Sequence, residues 1–254
     1  MKNRKTVSII AAICLFALMI PLFCGCSAKA DNETVIKSEA TIGGEIVSVR
    51  NGELLVSSDS GLYFVSTDEK TVFSKKGSGF EKSELRPGMA VQIGYNGIVQ
   101  ETYPAMVYAE QINVTAEEGS KINLYAEALK HIIEENERPQ MKTVKTIALD
   151  LTELSDLSDK QKDALEYLLT GYFMQKSNAE LIRSSYQELL KDGRLTKDGE
   201  FEDGVIFSIG NNEGKKSFFV SQNWAALNGD GCKDCTAKFR NGEWEIKYDG
   251  LWIS

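Results

Sequence analysis

Three of the four Asn-Gly dipeptides in this chain, each beside short apolar runs, constrain the fold more than any other sequence feature. They lie at Asn51-Gly52, Asn96-Gly97 and Asn241-Gly242. Both residues of such a pair tolerate positive φ, so the dipeptide favours a two-residue turn whose twist suits antiparallel strands. We therefore expect a β-hairpin at each of the three positions.

The apolar runs around the first two dipeptides predict an all-β segment over residues 40–116. Strands are expected near residues 46–49, 54–56, 62–65, 89–93 and 107–114, with a further short strand at Ile98-Val99 after the second turn. Five or six short strands within about 75 residues predict a small closed barrel, for example of the OB type. A sandwich-like roll is the alternative.

Residues 117–254 have a different pattern, in which helices come first and strands follow. Apolar spacing between residues 122 and 133 predicts a helix, and residues 143–151 predict a strand. Capping boxes at Ser158 with Gln161 and at Ser177 with Glu180 predict two more helices, the second of which is expected to end at Gly193.

Strands are predicted near residues 205–207, 218–220 and 244–248, the last with alternating apolar and charged residues. Helices followed by an antiparallel sheet predict the α+β class, with a cystatin- or NTF2-like layout as one arrangement. The expected fold is thus a small all-β (OB-like) barrel followed by an α+β domain with helices packed on an antiparallel sheet.

The N-terminus predicts a lipoprotein signal peptide over residues 1–25. Lys2, Arg4 and Lys5 precede an apolar stretch of 17 residues at positions 7–23, which at about 1.5 Å per residue is short of a bilayer core of about 30 Å. The stretch ends in LFCGCS (residues 22–27), which resembles the bacterial lipobox. The resemblance implies lipidation of Cys26, with diacylglyceryl and further acyl chains such as palmitate as the anchor.

Removal of residues 1–25 takes away three positive charges and changes the formal net charge from −8 to −11. The acidic body makes nucleic acid an unsuitable partner, and the lipid on Cys26 is expected to supply the affinity for the membrane. Residues 26–39 are polar and predict a flexible tether. The protein is thus expected at the extracytoplasmic face of the cell membrane.

The stretch from Gly88 to Val114 contains two short motifs, Tyr95-Asn96-Gly97 and the segment ETYP at residues 101–104. With these motifs it resembles uncharacterised secreted proteins and lipoproteins of Gram-positive bacteria that carry a small OB-like barrel. The resemblance implies a barrel fold and an envelope location. It implies neither an activity nor catalytic residues.

The motifs of the familiar enzyme classes are not found in the sequence. His131 is the single histidine of the chain, and its spacing predicts a half-exposed position on a helix. The mature part contains no nucleophile elbow, Ser-x-x-Lys, Walker loop or GxGxxG sequence. We therefore predict no catalytic residues, no cofactor and no metal site.

Cys232 and Cys235 form the sharpest local feature of the mature chain. A CxxC pair can be a local disulfide, a redox dithiol or part of a metal site. The Gly- and Asp-rich approach and the predicted strand after the motif favour a structural pair in a turn, with a disulfide between Cys232 and Cys235 as the candidate bond.

The segment 222–236 is rich in Gly, Asn and Asp and predicts a long loop on a rigid sheet. Its candidate binding residues are Trp224, Asn228, Asp230 and Asp234. The sequence therefore predicts a lipid-anchored extracytoplasmic protein without catalytic activity, which binds an unknown protein or small ligand of the cell envelope. The alternative is an envelope enzyme or redox accessory protein that uses Cys232 and Cys235.

Overall fold

The computed structural model describes residues 38–136, 138–225 and 228–253 of the chain. These residues contain two β-sheets and three α-helices. The first sheet contains β1 (Ala40–Arg50), β2 (Glu53–Ser58), β3 (Gly61–Ser66), β4 (Val72–Lys75), β5 (Ser78–Gly79), β6 (Met89–Tyr95) and β7 (Ala105–Glu117). After it come α1 (Lys121–Glu135), β8 (Thr146–Asp150), α2 (Asp159–Lys176), β9 (Glu180–Arg183), α3 (Tyr186–Lys191), β10 (Gly204–Asn211), β11 (Phe218–Ala225), β12 (Asn228–Arg240) and β13 (Glu243–Ile253). The architecture is mostly β with few helices and agrees with the α+β class.

Two of the three predicted Asn-Gly hairpins are confirmed. Asn51 and Gly52 have φ of 51° and 80° and join β1 to β2, while Asn241 and Gly242 have φ of 54° and 87° and join β12 to β13. In both turns the flanking residues are directly paired, as a two-residue loop requires.

The hairpin predicted at Asn96-Gly97 is wrong, and Ile98-Val99 is not a strand. The chain leaves β6 at Tyr95, and β7 begins only at Ala105. The Asn96 side chain accepts a hydrogen bond from the Ile98 amide at 3.1 Å, which forms a local turn in place of a ladder. Ile98 remains 66% exposed because no core residue covers it.

The strand pairings of the first sheet return to the strand on which they start. β1 pairs with β2 and β6, β2 with β3, and β6 with β7. A parallel pairing of β3 with β7 completes the circuit. The apolar side chains inside this circuit form one cluster, whose largest fully buried members are Ile46, Leu54, Met89, Ile93 and Ile112.

The second sheet has the order β13-β12-β11-β10-β8-β9 and is mixed, which differs from the antiparallel sheet predicted from the sequence. The strands β10 to β13 are antiparallel, but β8 pairs in parallel with both β10 and β9. A parallel pair needs a crossover of a dozen or more residues, and α2 provides it between β8 and β9.

The helix predicted after Ser177 is also wrong, because residues 180–183 form β9 beside β8. The working capping box is Ser185 with Glu188, and it starts the short α3. Both sites have the same Ser-x-x-Glu spacing, so the parallel pairing with β8 decides which one starts a helix. The box at Ser158 with Gln161 and the left-handed φ of Gly193 (68°) are both confirmed.

The helices α1 and α2 cover the second sheet and also contact the first. Val47, Leu55 and Leu62 from the first sheet belong to the same buried cluster as α1, α2 and the second sheet. The residues from Ile36 to Ser254 form one compact unit. The division into domains at residues 40–116 and 117–254 stays a prediction.

We expect Leu54→Ala and Leu55→Ala to weaken the same unfolding transition. These two neighbours on β2 point to opposite sides of the first sheet. Leu54 packs in the cluster inside the first sheet, and Leu55 packs in the cluster that also contains α1, α2 and the second sheet. Each truncation should lower the free energy of unfolding by about 2–5 kcal/mol. Urea unfolding of residues 27–254 measures this by far-UV circular dichroism and by the fluorescence of Trp224, Trp244 and Trp252.

The two signals should change together in both variants. An early transition in circular dichroism for Leu54→Ala, with an unshifted tryptophan midpoint, would show that the two sheets unfold independently.

Candidate functional site

A cleft of about 790 Å³ lies where the start of α1 meets the β10–β11 connection and the segment after β8. Its rim carries charges of both signs, provided by Lys121, Lys215, Lys216, Glu153, Asp156 and Glu213. Leu124, Tyr125, Phe218, Ala237 and Trp244 line its apolar part. A concave site with convergent polar groups on an apolar wall is the usual form of a ligand site.

The start of α1 is placed by its N-cap. The Ser120 hydroxyl accepts a hydrogen bond from the Asn123 amide at 3.2 Å, and the Ser120 carbonyl accepts one from the Trp244 indole at 2.9 Å. The cap thereby joins the helix to β13. Lys121 and Tyr125, one helical turn apart, then face the cleft together.

Asn211, the last residue of β10, holds the opposite wall. Its side-chain oxygen accepts from the Ser155 amide at 2.8 Å and from the Asp156 amide at 3.2 Å. Its amide nitrogen donates to the Tyr125 hydroxyl at 3.0 Å. One side chain thus joins the end of β10, the segment after β8 and helix α1.

Asp156 is the centre of the polar groups in the cleft. The Tyr125 hydroxyl donates to its two carboxylate oxygens at 2.9 and 2.7 Å, and the Lys121 ammonium lies 2.9 Å from Oδ2. Burial raises the pKa of Asp156, but the hydrogen bonds from Lys121 and Tyr125 outweigh it, so the pKa lies below its usual value. Burial, and next the hydrogen bond to Asp156, raise the pKa of Tyr125. At neutral pH the pair is therefore an anionic carboxylate held by a neutral phenol.

The lysines at the β10–β11 connection are placed by a second set of bonds. The Asp234 carboxylate accepts from the Lys215 ammonium and from the Ser217 hydroxyl, both at 3.2 Å. Asn212 donates to the Lys233 carbonyl at 2.9 Å. The connection is thereby held to β12, and Lys216 stands exposed on the rim of the cleft.

The long loop predicted over residues 222–236 is wrong, because its described residues lie in β11 and β12. Trp224 is partly buried against the cluster that contains α1, α2 and the second sheet. Its indole donates a hydrogen bond to the Gln222 side-chain oxygen at 3.3 Å. Asp234 lies beside the cleft, because its carboxylate accepts a hydrogen bond from Lys215, which lines the cleft. The backbone of this Gly-rich segment is instead hydrogen-bonded in the antiparallel pairing of β11 with β12.

Asp230, another of the predicted binding residues, is 1% exposed and lies in a polar cluster inside the fold. Its carboxylate accepts from Arg138 at 2.8 Å and from Gln222 at 2.9 Å. Arg138 also donates to the Asn228 side chain at 2.6 Å. These bonds tie the chain after α1 to β12. They leave the buried Asp230 carboxylate engaged within the fold, whereas Asn228 is exposed.

Cys232 and Cys235 lie within β12 on both sides of a β-bulge, so the turn predicted for this pair is wrong. The register of β12 against β11 shifts between the pairs Val220–Cys232 and Phe218–Cys235, which adds one residue to β12. Lys233 and Asp234 therefore both face outward, and both cysteines are fully buried on the inner side. The bulge explains how residues three apart in a strand share one face.

Both thiols are free in the structure and are hydrogen-bonded. Cys232 donates to the Asp249 carbonyl at 3.0 Å. Burial, and next the hydrogen bond with Cys232, raise the pKa of Cys235. A redox-active cysteine is usually activated by the opposite shift, because the thiolate is the reactive form.

The remaining predicted positions lie apart from the cleft or outside the described residues. His131 lies on α1 and stacks on the Tyr248 ring with 4.1 Å between the ring centroids. Cys26 lies outside the described residues. Within the described ranges, no helix combines the length and apolarity needed to cross a membrane. No group of three or more His, Cys, Asp and Glu side chains is placed there to hold a metal ion.

Sequence reasoning did not find Lys121, Tyr125, Asp156 and Asn211. The spacing of Lys121 and Tyr125 after an N-cap serine was visible in the sequence. Asp156 and Asn211 had no such signal, because their roles depend on contacts between segments that are 55 residues apart.

No family model and no curated protein sequence matches this chain at a significant level.

We expect the thiols of Cys232 and Cys235 to react slowly in the folded protein. A fragment of residues 27–254, reduced before the assay, contains these two cysteines and no other. Because the pKa of Cys235 is raised and both thiols are buried, reaction with a disulfide reagent at pH 8 should be at least about tenfold slower than in denaturant. The absorbance of the released thiol measures both rates.

One cysteine that reacts at neutral pH as fast as a free thiolate would contradict this prediction. It would favour the redox alternative.

Proposed function

We propose that this protein is a lipid-anchored extracytoplasmic binding protein of the bacterial cell envelope, with the cleft around Asp156 as its binding site. The cleft carries the proposal. It provides ammonium, carboxylate, amide and hydroxyl groups around three aromatic side chains, Tyr125, Phe218 and Trp244. The lipobox-like sequence that ends at Cys26 supports the membrane location.

The mixture of groups favours a ligand with both sugar and peptide character. Lysines suit carboxylates, acidic and amide side chains suit hydroxyls and amines, and an indole suits the apolar face of a sugar ring. Soluble fragments of the cell wall, in which a disaccharide carries a short peptide, contain all of these groups. Such a muropeptide is the ligand class that we propose.

An OB-like barrel for the first sheet is part of the same proposal. The circuit β1-β2-β3-β7-β6, with a parallel pairing between β3 and β7, supports a five-stranded barrel of this type. We infer that the barrel serves as the scaffold on which α1 and α2 are packed.

Membrane attachment is expected to depend on Cys26. In cells that express Cys26→Ala, the acyl anchor cannot form, and mature protein should be absent from the washed membrane fraction. Metabolic labelling with a palmitate analogue should mark the wild-type chain and leave the variant unmarked. Cys24→Ala is the matched control and should stay both labelled and membrane-bound.

An unlabelled wild-type chain would contradict the lipid anchor. So would equal labelling of wild type and Cys26→Ala.

Muropeptide binding is expected to depend on the rim of the cleft. Lys216→Glu reverses an exposed charge there, and Lys197→Glu makes the same change at an exposed residue that does not line the cleft. Titration of residues 27–254 with a disaccharide tetrapeptide by calorimetry should show about three- to tenfold weaker binding for Lys216→Glu only.

Absence of saturable binding to the wild-type protein would contradict the proposed ligand. Equal effects of the two lysine variants would contradict the proposed site.

A further inference from the structure

A second, smaller pocket lies between the β1–β2 hairpin and helix α2, and it shares no residue with the cleft around Asp156. Its volume is about 220 Å³. The apolar part of its wall is formed by Leu55, Phe64, Tyr167, Leu168, Gly171 and Met174. An apolar cavity of about 150 Å³ can hold a benzene molecule, so this pocket has room for one aromatic ring and a short substituent.

The rings in the wall are arranged edge to face. Phe64 and Tyr167 have centroids 6.2 Å apart and planes at 78°. Tyr103, which is 70% exposed, also packs edge to face against Tyr167, with centroids 6.2 Å apart and planes at 80°. Aromatic side chains prefer this geometry, and a further ring that enters the pocket would extend the cluster in the same way.

Gly171 keeps the pocket open. It lies in the interior of α2, where glycine costs about 0.5–1 kcal/mol relative to alanine. A Cβ atom at this position would have no heavy atom within 4 Å. A larger side chain is therefore compatible with the backbone, and it would occupy the space that a ligand could fill.

Two opposite charges stand at the mouth of the pocket. Arg50 and Glu53 are directly paired residues at the end of the β1–β2 ladder, and both are exposed. Within the described part of the chain, the two side chains form no ion pair with each other, and Glu53 accepts only a long hydrogen bond of 3.4 Å from Ser66. A guanidinium and a carboxylate with unused capacity can therefore take an anionic and a cationic group side by side.

We propose that this pocket binds a free aromatic α-amino acid. Its ring lies against Phe64 and Tyr167, its carboxylate is bound by Arg50, and its ammonium group is bound by Glu53. The observations that carry this assignment are a cavity of one-ring size and, at its entrance, a guanidinium and a carboxylate for which the described residues provide no ion-pair partner. The inference goes beyond the proposed function, because it concerns a different site and a different ligand.

The experiment is a calorimetric titration of residues 27–254 with L-phenylalanine. We expect saturable binding with a Kd below about 1 mM. N-acetyl-L-phenylalanine lacks the cationic group and L-phenylalaninamide lacks the carboxylate, so each should bind about three- to tenfold more weakly. Glycine, which has both charges and no ring, should not bind measurably.

Two substitutions of Gly171 separate pocket volume from folding. Gly171→Ala adds a methyl group into open space and should retain binding, whereas Gly171→Leu fills the pocket and should abolish it. Both variants should unfold at the same temperature as wild type or higher, because alanine and leucine are better helix formers than glycine. A loss of binding in a folded Gly171→Leu protein therefore reports on the pocket alone.

The charged residues have their own signature. In Arg50→Gln, L-phenylalanine and its amide should bind with equal affinity, because the group that distinguishes them is gone. In Glu53→Gln, L-phenylalanine and its N-acetyl form should become equal for the same reason.

Any of three results would overturn the proposal. They are no saturable binding of L-phenylalanine, binding that survives Gly171→Leu, and analogues that bind as well as L-phenylalanine. Muropeptide binding in the cleft is measured separately with Lys216→Glu, so failure of one site is distinguishable from failure of the other.

Discussion

Strand β2 is buried on both of its faces, and the arrangement of the whole unit depends on this. Leu54 and Val56 point into the cluster of the first sheet, and Leu55 points into the cluster that contains α1, α2 and the second sheet. A strand that is covered on both faces has no solvated side. Helix α2 is held against the first sheet by this contact, and it carries one wall of the smaller pocket.

Local chemistry was sufficient to predict those features that depend on a few adjacent residues. The turns at Asn51-Gly52 and Asn241-Gly242, the capping box at Ser158 and the helical end at Gly193 followed from the sequence in this way. Asn96-Gly97 has the same local sequence, but no strand pairs directly after it. The dipeptide is therefore compatible with a hairpin and does not by itself produce one.

Features that depend on distant pairing could not be predicted. Residues 180–183 have a capping sequence before them, yet the parallel partner β8 makes them a strand. The Gly- and Asp-rich segment near Asp230 read as a loop because its composition is typical of loops. In the structure, Gly229 and Gly231 lie where an added Cβ would meet strand β11 at 2.8 Å or closer, so these glycines allow close strand packing. The candidate cleft was missed for the same reason, since Asp156 and Asn211 come together only through the tertiary fold.

The hydrogen bond from the Trp244 indole to the Ser120 carbonyl has a consequence for the order in which the fold is completed. It joins residues 124 positions apart, at the N-cap of α1 and near the end of the chain. Contacts of such long sequence separation form after local ones, since a large loop must close first. We therefore expect the wall of the cleft contributed by β13 to be among the last parts to be assembled. A chain that stops before Trp244 keeps the residues that surround Asp156 but lacks the surface that closes the cleft beside them. Ligand binding in the cleft would therefore indicate that the hairpin of β12 and β13 has packed against α1.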